Sequence, residues 1–274
     1  MECEVSGVPV HYAAFGDGDP VLVLHGAGVD HREVAAVFEP IFGRLPGYRR
    51  IYPDLPGMGR TPAAATLAGA DDVLDLLLGF VDAIVGPEPF RLIGHSAGAY
   101  FARAMAGKRV RQVAGLALVC PLGGSAKDVP EHKVLVASVD PDKLLGTEEA
   151  ASFGEYFVVQ TQATLDRFLE AVAPSLGLAD EAALERIARQ WEFRGTAPDS
   201  QSYVGPTLIL AGRQDAAVGY AGAWDLLQLY PRATFAVLDQ AGHALPHEQP
   251  DLLEALVTEW LGRSVSQRPV PPGA

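Results

Sequence analysis

Ser96 stands in Gly94-His95-Ser96-Ala97-Gly98, between the apolar run Phe90-Arg91-Leu92-Ile93 and an Ala-rich segment. A serine hydroxyl is a poor nucleophile at neutral pH. It needs a base to take its proton and a carboxylate to orient that base. A Gly-x-Ser-x-Gly turn from strand to helix exposes such a serine, because glycine two positions either side lets the turn close. Where this turn is used, the chain order is serine, acid, histidine. Asp215, in Ala211-Gly212-Arg213-Gln214-Asp215, and His243, in Ala241-Gly242-His243, continue that order. Each follows an apolar run, Thr207 to Ala211 and Thr234 to Leu238, and catalytic groups of open α/β sheets gather at the carboxyl ends of strands. The plainer readings are a glycine-rich loop with a surface serine, a turn aspartate and a loop histidine. Order and strand-end placement together favour the chemical reading.

A tetrahedral intermediate carries an oxyanion that needs backbone N–H donors. Ala97, after the nucleophile and at a helix N-terminus, is one candidate donor. Ala27, in His25-Gly26-Ala27-Gly28 after the run Val21-Leu22-Val23-Leu24, is the other. The remaining histidines are weaker. His95 adjoins the serine but should point away from its hydroxyl. His247 lies four residues from His243, but Pro246 prevents a continuous helix between them, and no two-histidine zinc signature is present. His11, His31 and His132 lack a strand-end setting, with His31 the best placed to approach a pocket. No metal site is expected. Candidates to line a substrate pocket are His25, Tyr156, Phe157, Gln160 and Trp191, though aromatics of this kind often only pack a core.

Strands alternating with helices must position these residues. Glu2 to Phe15 reads as a hairpin, and Val21 to Leu24 and Tyr48 to Tyr52 as strands. Phe90 to Ile93 and Val113 to Cys120 follow as further strands. Apolar residues recur at helical spacing over His31 to Leu45 and Asp71 to Val85, and Ala97 to Lys108 reads as a helix. This alternation implies α/β class: a mostly parallel, doubly wound sheet with right-handed crossovers. It breaks at Pro121. Residues 122–203 show no long apolar strand and read as helices over Thr147–Phe157, Gln162–Val172 and Asp180–Trp191. The expected organisation is a core over residues 1–121, a helical insertion over 122–203, the second part of the core over 204–263, and a mobile tail over 264–274. Strand Thr207–Ala211, helix Ala221–Tyr230, strand Thr234–Leu238 and helix Asp251–Gly262 complete it.

Composition narrows the partners. The chain has 274 residues, 49% hydrophobic, enough for one large core. A formal net charge of -13 argues against binding nucleic acid or an anionic membrane, both of which need basic patches. No apolar run is long enough to span a bilayer. The start, Met1-Glu2-Cys3-Glu4, is acidic and lacks an apolar leader, so a cytoplasmic protein is expected. Cys3 and Cys120 make neither a metal pattern nor a disulfide framework, and Cys120 should be buried. A small molecule is the expected partner; nothing in the chain specifies an oligomeric state.

Across essentially the whole core, the chain resembles the α/β-hydrolase superfamily. The resemblance rests on His25-Gly26-Ala27-Gly28, Asp54-Leu55-Pro56-Gly57-Met58-Gly59-Arg60, Gly94-His95-Ser96-Ala97-Gly98, Gly212-Arg213-Gln214-Asp215, and Ala241-Gly242-His243 with Glu248-Gln249-Pro250 following. It implies that Asp54 marks a structural turn, that residues 122–203 form a helical cap, and that acyl transfer to water proceeds in two steps without a cofactor. The expected substrate is a small, largely apolar carboxylic ester or lactone. Peptide bonds pass through the same kind of intermediate, and a C–C bond hydrolase of the meta-cleavage-product type would use the same three residues. Epoxide hydrolases and haloalkane dehalogenases of this fold need aspartate where Ser96 stands. A non-catalytic small-ligand binder is the competing class, since folds are reused.

Overall fold

Strands buried on both faces read as unbroken apolar runs, and such runs require helices above and below them. The computed structural model describes residues 1–122, 126–194 and 203–265. Eight strands make one sheet: β1 (Glu2–Val5), β2 (Val8–Phe15), β3 (Asp19–Leu24), β4 (Tyr48–Pro53), β5 (Phe90–His95), β6 (Val113–Val119), β9 (Thr207–Gly212) and β10 (Ala233–Leu238). Their spatial order is β1-β2-β4-β3-β5-β6-β9-β10. β1–β2 and β2–β4 pair antiparallel, and every other neighbouring pair is parallel.

The two-residue period of a strand divides the core. Leu22 and Leu24 of β3 face one cluster with Leu92, Leu116 and Ile209; α2 (Ala70–Ile84) and α3 (Ala97–Lys108) cover it. Val21 and Val23 face the other, with Ile93, Ala117, Phe38 and Trp260, under α1 (His31–Phe42) and α10 (Pro250–Val265). Asp30 caps α1 by accepting from the Arg32 N–H at 3.0 Å.

Between β6 and β9 the described chain is mainly helical, with α4 (Pro141–Leu144), α5 (Thr147–Tyr156), α6 (Gln162–Arg167) and α7 (Glu181–Ala188). Two differences from the sequence reading appear here. Val136–Ala137 (β7) and Val159–Gln160 (β8) pair as a parallel ribbon, too short to leave a periodic signal. The stretch read as one helix from Gln162 changes at Phe168 into a π-helical turn through Val172. Phe153, Phe157, Leu165 and Phe168 form a third apolar cluster. Further on, Ala221–Tyr230 divides into α8 (Ala221–Asp225) and a 3₁₀ turn, Leu226–Gln228. A short helix, α9 (Leu245–Glu248), precedes α10. Of the tail expected over 264–274, residues 264 and 265 continue α10, whose hydrogen bonding carries the helix past Gly262, and 266–274 lie outside the described residues. No described helix is long and apolar enough to cross a membrane.

Glycines respond to substitution according to what surrounds them. A Cβ on Gly98 would collide with the Leu24 and His25 carbonyls, whereas one on Gly154, inside α5, meets nothing. Gly98→Ala is expected to cost about 3 kcal/mol or more through overpacking. Gly154→Ala should gain up to about 1 kcal/mol from helix propensity. Chemical denaturation of both variants checks the opposite signs.

Candidate active site

The tight passage from β5 into α3 leaves no room for side chains at its two glycines. A Cβ on Gly94 would strike the Gly98 carbonyl, and one on Gly98 the end of β3. Ser96 between them adopts φ 52°, ψ -117°, a conformation L residues rarely take. Its N–H donates to the Val119 carbonyl at 3.0 Å, which ties the turn to the end of β6. The hydroxyl is thereby held at the carboxyl edge of the sheet.

Two neighbouring strand ends bring the partners. A Cβ on Gly212, the last residue of β9, would collide with the Ala241 and Gly242 carbonyls. The two loops therefore pack backbone to backbone. Asp215 Oδ2 lies 2.8 Å from His243 Nδ1, and His243 Nε2 lies 2.8 Å from Ser96 Oγ. Asp215 Oδ1 accepts from the Ala217 and Val218 N–H groups at 2.9 and 3.0 Å. An ionised carboxylate can only accept, so Nδ1 carries the imidazole proton and Nε2 faces the serine hydroxyl as acceptor. Burial alone would raise the Asp215 pKa. The bond from His243 and the two N–H donors outweigh it and hold the carboxyl below its ordinary range.

A cavity of about 460 Å³ opens at Ser96, with Ala27 and His243 on the sheet side and Glu148, Ser152, Glu155 and Tyr156 on the α5 side. Among the described residues, neither the Ala27 nor the Ala97 N–H donates to a backbone carbonyl. Of the five residues read as pocket candidates, Tyr156 lines this cavity and the other four lie elsewhere. His25 is fully buried: Nδ1–H donates to the Gly26 carbonyl at 2.7 Å, and Nε2 accepts from the Leu55 N–H at 2.9 Å. Both nitrogens are occupied and burial lowers the pKa, so the ring is a neutral strut. Phe157 is inside the third apolar cluster. Gln160 is buried on β8, its amide donating to the Phe157 carbonyl. Trp191 stacks on Tyr100 at 5.0 Å between ring centroids. Aromatic and amide side chains score alike in a sequence whether they face a cavity or a core. The signal that finds the α5 wall is helical spacing: 148, 152, 155 and 156 share one face.

His31 does not reach this cavity either. It and His11 donate from Nδ1 to Asp54, at 2.7 and 2.9 Å, and the His31 and Arg60 N–H groups complete that carboxylate. Two groups of potential metal ligands come within 4.8 Å: His11, His31 and Asp54, and His95, Cys120 and His243. In the first group Asp54 binds the Nδ1 of both imidazoles, and in the second both nitrogens of His243 are engaged by Asp215 and Ser96.

Glu248 fastens the site to the helical segment. Its Oε1 accepts from the Val158 and Val159 N–H groups at 2.7 and 3.0 Å, and its Oε2 from Gly242 N–H at 2.6 Å. Burial pushes this carboxyl up to about 7, against those donors. An acid raised from 4.5 binds a proton more readily in the folded state. Its contribution is therefore full below 4.5 and lost as pH rises through about 7. Asp215 acts oppositely, its contribution being lost on acidification below the ordinary value of 3.8. Denaturant midpoints are expected to peak in mild acid and decline toward pH 8, and Glu248→Gln should flatten that alkaline decline. An unchanged slope would refute the assignment.

A model of the alpha/beta hydrolase family matches residues 21–256. The chain is 28% identical, over 88% of its length, to the biotin biosynthesis bifunctional protein BioHC of Cellvibrio japonicus, and spans 47% of that protein. It is 26% identical to a pimeloyl-(acyl-carrier protein) methyl ester esterase of Legionella pneumophila, over 92% of this chain and 99% of that one. A 2-hydroxy-6-oxononadienedioate/2-hydroxy-6-oxononatrienedioate hydrolase of Paraburkholderia phymatum is also 26% identical, over 93% and 91%. Among solved structures, an alpha/beta superfamily hydrolase from Oenococcus oeni PSU-1 superimposes with a TM-score of 0.87 at 26% identity, covering 97% of this chain and 99% of that one. With the family model spanning most of the chain and the same fold around it, this protein belongs to the alpha/beta hydrolase family.

Proposed function

We propose that the protein is a serine hydrolase that cleaves a small carboxylic ester or lactone through an acyl-enzyme. The observation that carries this reading is the continuous chain from Asp215 through His243 to Ser96 Oγ, each link 2.8 Å, opening on a cavity. His243 Nε2 takes the hydroxyl proton as Ser96 attacks the acyl carbon. Asp215 stabilises the imidazolium that forms. The Ala27 and Ala97 N–H groups receive the oxyanion, Ala97 with the added potential of a helix N-terminus. His243 then gives its proton to the leaving oxygen. Water, activated by the same imidazole, attacks the acyl-enzyme and releases the acid. Residues 122–203 serve as the cap, and α5 supplies the cavity wall facing Ser96.

That wall bears on substrate charge. Glu148 and Glu155 line it, and no lysine or arginine is among the described lining residues. A neutral acyl group meets no repulsion there, whereas a second carboxylate on the substrate would face like charge in a partly dry cavity. The similarity to a hydrolase named for a dioate substrate favours C–C bond cleavage as a second reading. The acidic wall speaks against a dianionic substrate of that kind.

Ser96→Ala is expected to abolish turnover of p-nitrophenyl butyrate and labelling by a fluorophosphonate probe. Asp215→Asn should lower kcat by roughly 10²–10⁴-fold, since the imidazole loses its orienting partner. Wild-type activity in Ser96→Ala would end the serine assignment. A p-nitrophenyl monoester of a dicarboxylic acid should be a poorer substrate than the butyrate, with the gap narrowing in Glu148→Gln/Glu155→Gln. Product analysis on a vinylogous diketone separates the two readings.

A further inference from the structure

Beneath the Ser96 turn lies a second carboxylate–imidazole pair that the proposed steps do not use. Glu33 comes from α1 and His95 from the end of β5, and both are buried from solvent. His95 Nδ1 lies 3.0 Å from Glu33 Oε1. On its other side, His95 Nε2 lies 3.0 Å from the backbone carbonyl oxygen of His243. A carbonyl oxygen only accepts, so Nε2 must carry a proton. Glu33 Oε1 faces Nδ1 as an ion-pair partner, out of hydrogen-bond alignment, and against the burial that lowers the His95 pKa its charge raises it. A proton on Nδ1 makes His95 an imidazolium, neutralised by the carboxylate beside it. His247, from α9, brings Nε2 to 3.6 Å from the same Glu33 oxygen, beyond hydrogen-bond length.

The placement of this pair is informative. His243 precedes α9, so its carbonyl receives no helical N–H, and His95 is the donor the structure gives it. His95 and Ser96 are consecutive. Residue 243 therefore meets residue 96 with its side chain and residue 95 with its backbone. Asp215 restrains only the Nδ1 end of the ring. A shift of the 243 backbone would pass directly into the distance between Nε2 and Ser96 Oγ. Stability gives little reason for such a pair, because a buried ion pair can usually be replaced by apolar residues at no loss.

We infer that Glu33 and His95 are positioning residues for the catalytic base: the pair grips the His243 carbonyl and keeps its imidazole within proton-transfer distance of Ser96 while the ring gains and loses charge. This rests on the serine-hydrolase reading above.

The test compares wild type with His95→Leu and Glu33→Leu/His95→Leu. The double change removes both buried charges and should melt within a few degrees of wild type. Its rate of labelling by a fluorophosphonate, and its kcat on p-nitrophenyl butyrate, are expected to fall roughly ten- to hundredfold with KM little changed, as for a small misplacement of a reacting group. A stable double variant that labels and turns over within about twofold of wild type would overturn the inference. If the variants do not fold, ¹⁵N-histidine NMR of the wild-type protein decides. Protons on both His95 nitrogens at neutral pH uphold it, and an unprotonated Nε2 refutes it. A wild type inert to both the probe and the ester would instead defeat the serine-hydrolase reading, a separate result.

Discussion

The close approach of three backbone segments at Ser96 is the constraint on which the site depends. Gly98 lies against the end of β3 and Gly94 against the first turn of α3, with no space for a methyl group at either contact. Ser96 takes a left-handed conformation because both flanks are fixed. The strain is held by the sheet: β5 is bonded along its length to β3 and β6, and the Ser96 N–H itself donates to β6. A looser turn would move the hydroxyl and swing the Ala97 N–H away from the cavity. The Ser96 hydroxyl and the Ala97 N–H are thus placed by one packing event.

Charge placement extends that constraint outward. Asp215, Glu248 and Asp54 are buried carboxylates, and each is surrounded by backbone N–H donors from loops and element ends. A carboxylate accepts up to about four hydrogen bonds, so one residue can gather several strand-end loops. Asp54 gathers the loop after β4, with His11 and His31 as its imidazole partners. Glu248 joins the His243 loop to Val158 and to Val159 at the start of β8. Arg167 adds a second link, donating to the His247 carbonyl at 2.9 Å. The helical segment and the His243 loop are therefore held by the same few residues, and the position of α5 over the cavity is coupled to the position of His243.

The α5 helix shows how one element serves two purposes. Its apolar side, with Phe153, packs into the cluster that includes Phe157 and Phe168. Its polar side presents Glu148, Ser152 and Glu155 to the cavity, with Tyr156 at the edge. Amphipathic helices usually turn their polar face to bulk water. Here that face closes over the Ser96 corner, and Glu148 and Glu155 make one wall of the cavity acidic.

Most of the fold was legible because local forces wrote it. Unbroken runs such as Val21–Leu24 and helical spacing over Asp71–Val85 report burial directly, and the alternation of the two restricts the topology to a parallel sheet. The order Ser96, Asp215, His243 was also readable, since each follows a strand and strand ends share one edge. Of the cavity lining beyond Ala27, Ser96 and His243, only Tyr156 was. Phe157, Gln160 and Trp191 have the composition of a pocket but are spent on packing, and His25 on a buried strut. Glu33 gave no sign at all, being one acid in the first turn of a helix. Residue type and periodicity determine which face of an element is apolar. Only the three-dimensional arrangement decides which element that face meets, because contacts between residues 33, 95 and 243 depend on distances that no local interaction controls.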